Sequence, residues 1–150
     1  MTSKERVLER ERQRGRLAAR ELQQNAESMT GAELHEADDR VPHFAAACKH
    51  KNMLERPIGF VCKSTAGRMV KLLQPYDSSI YTMEPEDMPA QWGMKWSTNP
   101  KDALPFIGIS TSPYNIGECC TEDGIVYRSK LNANVFRPSA YPAGWEVVEM

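Results

Sequence analysis

The hydrophobic positions change rhythm along this chain, and the changes divide it. Over residues 3–29, SKERVLERERQRGRLAARELQQNAESM, apolar side chains are sparse: Val7/Leu8, Leu17/Ala18 and Leu22 make a thin stripe, interrupted by Gly15. The rest is Glu, Arg and Gln without proline, which predicts one long polar helix. Ser3 is its expected N-cap, with Arg6 rather than Glu at the capping-box position. A helix this polar gains little from burial in its own chain, so it either stays solvated or docks, most simply on copies of itself. Residues 1–29 therefore read as an oligomerisation or docking arm. TGAELHEAD then opens with a Thr30/Glu33 capping box before Leu34, Pro42 closes that stretch, and HFAAACKHKNML predicts another helical turn or two. Residues 30–54 are a short helical connector.

From Arg56 onward, short apolar and β-branched runs alternate with Gly, Pro, Ser and Asp. GFVCK and RMVKLL read as strands joined at STAG, and the same grammar returns in IGECCTEDGIVYRSK, with TEDG as the turn. Asp123-Gly124 is a pair that tolerates positive φ in a tight hairpin. The fold class is α+β: an N-terminal helix or helices, then two small antiparallel β hairpin modules over 55–97 and 104–150.

The two modules share a phrase. PEDMPAQW, Pro85 to Trp92, and PSAYPAGW, Pro138 to Trp145, both read P-x-x-x-P-A-x-W at an offset of 53. Gly59, Gly67 and Val70 upstream match Gly117, Gly124 and Tyr127, with the extra residues of the first copy lying around QPYDSSIY. Such self-similarity is expected of an internal duplication that diverges in its turns. The prolines are expected to hold the chain extended across the hairpin without ladder hydrogen bonds, delivering tryptophan onto its face. Gly67, Trp92, Gly117, Gly124, Tyr127 and Trp145 form the expected module cores, with Tyr127 as the partner of Trp145.

Charge and chemistry narrow the function by exclusion. The net charge is −1; residues 1–24 carry seven Lys/Arg against four Glu, and this interleaved excess does not point to nucleic acid. No apolar run approaches a membrane span and the N-terminus is not signal-like, so synthesis in a bacterial cytoplasm, with no membrane partner, is expected. Cys48, Cys62, Cys119 and Cys120 lack zinc-type spacing and read as reduced thiols. His35, His43 and His50 have no carboxylate at metal-ligand spacing, and Glu84, Glu86 and Asp87 read as a charged turn rather than paired catalytic acids. No nucleophile elbow or phosphate loop is present. No enzyme, metal or cofactor is expected.

The second copy runs Tyr114, Gly117, Glu118, Cys120, Gly124, Tyr127, Ser129, Pro138, Trp145. In this it resembles the small chitin- and cellulose-binding modules attached to bacterial chitinases. It is most similar to short prophage tail-region proteins carrying two such modules in tandem. The likeness covers about residues 57–150. It implies a carbohydrate-binding-like fold and sugar binding without catalysis, through exposed rings stacking on pyranose faces. The enzyme-attached modules place those rings just after the Y-x-A strand. Here Lys130, Leu131 and Asn132, and Leu73, Gln74 and Pro75, stand there, so the candidates are Tyr76, Tyr81, Trp96, Phe136 and Tyr141. The resemblance implies a virion tail location, with cell-surface polysaccharide and other tail or baseplate proteins as partners; homo-oligomers through the N-terminal helix are expected from its polar pattern instead. The alternative is a purely structural tail adaptor whose modules bind protein rather than sugar.

Overall fold

A computed structural model describes residues 2–150. Helix α1 spans Ser3–Asn25, α2 Gly31–Glu36 and α3 Phe44–His50. Two three-stranded antiparallel sheets follow: β1 (Val61–Lys63), β2 (Met69–Leu72) and β3 (Trp92–Met94), then β4 (Cys119–Glu122), β5 (Ile125–Ser129) and β6 (Trp145–Val147). The α+β class with two β modules is what the pattern predicted. The third strand of each sheet was not.

The N-cap of α1 is Thr2, not Ser3. Its hydroxyl accepts from the Glu5 N–H at 3.2 Å while the Glu5 carboxylate accepts from the Thr2 N–H at 2.6 Å. Starting one residue earlier puts Glu at the capping-box position where Arg6 would have stood, satisfying two orphan donors. The expected Thr30/Glu33 box is present in α2. Along α1, side chains from 3 to 17 stay almost wholly in solvent, Val7, Leu8 and Leu17 among them, and only Leu22 is buried. The C-terminal end of the helix is what docks. The Gln23 amide donates to the Val61 carbonyl at 2.7 Å and accepts from the Val61 N–H at 2.9 Å. It satisfies the outward edge of β1 as a neighbouring strand's peptide would. The Lys95 ammonium donates to the carbonyls of Ala26, Glu27 and Met29 at 3.0, 3.3 and 2.8 Å, closing off the end of the helical segment.

The two sheets repeat each other in register. Val70 pairs Met94 and Leu72 pairs Trp92 in the first; Tyr127 pairs Val147 and Ser129 pairs Trp145 in the second. Each first strand begins with a bulge at a glycine. Gly59 donates to Leu72 O while Phe60 O accepts from Leu72 N, and Gly117 and Glu118 face Ser129 in the same way. The bulge is of the type whose first residue is left-handed, which suits glycine, and both glycines sit at φ 92°. The second hairpin turns on Asp123 (φ 52°) and Gly124 (φ 78°), the positive pair a two-residue loop needs.

The shared phrase is a double turn, not an extended strap. Asp87 N–H reaches Glu84 O and Gln91 N–H reaches Met88 O, at 3.0 and 3.1 Å. Ala140 to Arg137 and Gly144 to Tyr141 match them, each at 3.0 Å. Every proline occupies the second position of its turn, which its fixed φ suits. The tryptophan leaves the second turn as the first residue of a hydrogen-bonded strand. Both rings are buried, Trp92 completely, and a ring of about 200 Å² contributes about 5 kcal/mol at about 25 cal/mol per Å².

The modules pack together. Trp92 contacts Phe44 and Tyr76 edge-on in a core that also holds Phe60, Val70, Met88, Met94 and Ile109. Trp145 meets Tyr114 and Phe106, with Tyr127 only at the margin of that cluster, so the expected Trp145–Tyr127 pairing gives way to rings from the linking segment between β3 and β4. Trp96 stacks on Tyr114 at 4.2 Å and joins the halves. Gly31 lies against the Trp96 carbonyl, where an added Cβ would come within 2.2 Å, so α2 sits directly on this junction.

Candidate functional site

The five candidate rings separate into core and surface. Tyr76 is buried: its hydroxyl accepts from the Trp92 indole N–H at 3.0 Å, and burial pushes its own pKa up to about 12. The inserted loop carries it inward, held by Asn52, whose amide donates to Asp77 at 2.9 Å and whose carbonyl accepts from the Ser78 N–H. A ring enclosed in this way has no free face for a sugar. Trp96 is half-buried, stacked on Tyr114 and donating to Ser112 O at 2.8 Å, so it serves the module junction. Tyr81, Phe136 and Tyr141 remain exposed.

Tyr81 stands beside a shallow groove of about 410 Å³ with Met83, Pro89 and the small exposed part of Tyr76 along it. Phe136 and Tyr141 stand together. Their centroids are 5.7 Å apart and their planes differ by 26°, with exposures of 52% and 42%. Two residues that the sequence did not single out build this pair. Buried Asn134 donates to Ser129 Oγ and Gly144 O and accepts from the Phe136 N–H, fixing the loop that carries Phe136. Gly144 makes room for Tyr141, since a Cβ there would stand 2.9 Å from its ring. The repeat held the signal for Gly144: the first copy has Gln91 and Met88 where the second has Gly144 and Tyr141. Nothing comparable marked Asn134, because its partners are set by the closing of the loop. Arg137 reaches Glu122 at 3.8 Å beside the pair, and Glu122 accepts from the Ser139 N–H and hydroxyl, giving charged and polar groups at its border.

The acidic cluster of the first copy is structural. The Arg68 guanidinium donates to Glu86 at 2.9 Å and to Pro105 O at 2.6 Å, and Ser64 Oγ donates to the same Glu86 oxygen at 2.8 Å. Glu84 accepts from the Thr65 N–H. These bonds tie the first hairpin turn to the double turn and to the linking segment. Ser97 and Asp102 bond at 2.7 Å near His35, whose pKa burial lowers, but the cavity among them is about 10 Å³ and admits no substrate.

A depression of about 610 Å³ runs between the modules past Lys71, Gly93, Trp96, Ser112 and Glu118. Burial raises the Glu118 pKa there, against a 2.6 Å bond from the Asn115 N–H. Among the described residues no three His, Cys, Asp or Glu side chains converge to hold a metal ion, and the four cysteines form no disulfide. No helix among them is long and apolar enough to cross a membrane. Compared with known protein families, curated proteins and solved structures, the chain matches none.

Proposed function

We propose that this chain is a non-catalytic, phage- or prophage-type tail-associated protein whose second module contacts cell-envelope glycan. The Phe136–Tyr141 pair carries the reading. Two neighbouring rings, near-parallel and outside the core, expose apolar faces that suit the C–H face of a sugar. Asn134 and Gly144 hold them in place before any ligand arrives, so little ordering entropy opposes binding. Arg137 and Ser139, between the two rings in the chain and both joined to Glu122, supply polar groups for sugar hydroxyls. The tail setting rests on the resemblance of the second module. The solvated first half of α1 serves as the docking or oligomerising arm, and several copies would raise a weak single-site affinity through effective concentration.

The test is retention of the intact chain on bacterial cell-wall polysaccharide. Retention should fall strongly in Phe136→Ala and Tyr141→Ala and persist in Tyr81→Ala. No retention of the intact chain would refute the reading.

A second reading, a structural adaptor whose modules bind protein, is favoured by the loss of Tyr76 and Trp96 to the core and the junction.

A further inference from the structure

The register of the repeat shows what each module surface faces, and one surface is covered in the first module and bare in the second. In β3 the ladder bonds to β2 run through Gln91, Gly93 and Lys95, so the N–H of Met94 points away from the sheet. Ser112 Oγ accepts from that N–H at 3.0 Å. Ser112 ends the segment Ile107 to Ser112, IGISTS, which lies along this edge. Ile109 is buried in one cluster with Met88 and Met94, Ile107 packs against that cluster, and Thr111 Oγ1 donates to Pro89 O at 3.3 Å. Met88 and Met94 are therefore roofed by an extended stretch of the chain itself.

The matching positions in the second module, at the offset of 53, are Tyr141, Pro142 and Val147. In β6 the bonds to β5 run through Gly144, Glu146 and Val148, so the Val147 N–H points outward as that of Met94 does. Among the described residues nothing lies along this edge. Met88 and Met94 are 5% and 8% exposed, whereas Tyr141 and Val147 are 42% and 60% exposed. The outer edges of β1 and β4 are both bonded, to Gln23 and Pro42 and to Ser97 and Leu104. The open edge of β6 is the exception, and an exposed strand edge is a ready acceptor for another chain.

We infer that the edge of β6 receives an extended polypeptide segment of a partner protein, built like Ile107–Ser112: two branched aliphatic residues one apart, then a hydroxyl three residues on. The aliphatic side chains would cover Val147 and the outer side of Tyr141, the counterparts of Met94 and Met88, and the hydroxyl would accept from the Val147 N–H. This covers a strand edge as Ile107–Ser112 does, one hydroxyl bond to the Val147 N–H setting register and the aliphatic side chains supplying selectivity. It goes beyond the glycan reading and gives the adaptor reading a site.

The chain supplies its own probe. A synthetic peptide of residues 105–113, PFIGISTSP, is titrated into the full-length protein and followed by amide NMR and peptide fluorescence anisotropy. Saturable binding that moves the Val147 amide signal, and leaves that of Met94 in place, is expected. Replacing both peptide isoleucines by Asp should weaken binding by roughly tenfold or more. Val147→Pro removes only an outward N–H and should weaken it comparably; Val147→Lys, at an exposed position, gives the second variant should the proline disturb β6. No saturable binding, an unmoved Val147 signal, or affinity unchanged in both variants overturns the inference. So does a dimer of the free chain that Val147→Lys dissolves, which assigns the edge to a second copy. Phe136→Ala should leave peptide binding intact while removing glycan retention, so the two ideas fail separately.

Discussion

The indole N–H of Trp92 donates to the hydroxyl of Tyr76 across a buried 3.0 Å bond. Its counterpart Trp145 donates instead to the backbone carbonyl of Phe136, at 2.7 Å. One module thus spends a tyrosine on its core. The other uses a carbonyl, and so anchors the backbone of a ring that stays in solvent. Tyr76→Phe should cost about 1–3 kcal/mol, because it strands the Trp92 donor in the interior. Urea unfolding checks this as a lower midpoint at unchanged slope, and glycan retention should not move.

Gln23 makes both of its amide bonds to one residue, Val61, at the edge of β1. Gln23→Ala should cost about 1–3 kcal/mol and speed amide exchange at Val61. Gln23→Glu keeps the acceptor for the Val61 N–H but faces the Val61 carbonyl with a carboxylate oxygen, so it should not restore stability. Equal exchange at Val61 in all three proteins would show that the arm does not dock through this contact.

The Arg68–Glu86 pair is nearly enclosed, with side-chain exposures of 11% and 8%. Arg68→Met or Glu86→Leu alone leaves a buried charge unpaired and should cost about 3–5 kcal/mol. The double variant should cost clearly less than the sum. Additive losses in a double-mutant cycle would mean that the two do not stabilise each other.

Burial raises the thiol pKa of all four cysteines, Cys120 up to about 12. The folded chain keeps protons that the unfolded chain releases near its ordinary thiol value of about 8.5. Stability is therefore fully present below about pH 8.5 and declines as pH rises above it. In thiol titration with a disulfide reagent at about pH 8, the native protein should react slowly, half-buried Cys48 first, and the unfolded protein at four sites quickly.

Much of the fold was legible because it is local. The sparse apolar stripe of residues 3–29, the Thr30/Glu33 box, and the Asp123-Gly124 turn each depend on neighbours a few residues away. The double turn was misread for an equally local reason: proline's φ near −65° suits both an extended chain and the second position of a tight turn. The hydrogen bonds inside each turn, such as Asp87 N–H to Glu84 O, distinguish them, and the residue types alone do not fix those bonds.

By itself the sequence determined a polar helix, two hairpins and a repeated phrase that places one tryptophan in each module. The tertiary structure alone decided which rings are core and which are surface. Tyr76 goes inside because an inserted loop, pinned at Asn52, brings it to Trp92. Tyr141 stays outside although its repeat counterpart Met88 is buried, because the segment that roofs Met88 has no second copy to roof Tyr141. Burial is a property of what arrives from elsewhere in the chain, and no residue carries that information in its own neighbourhood.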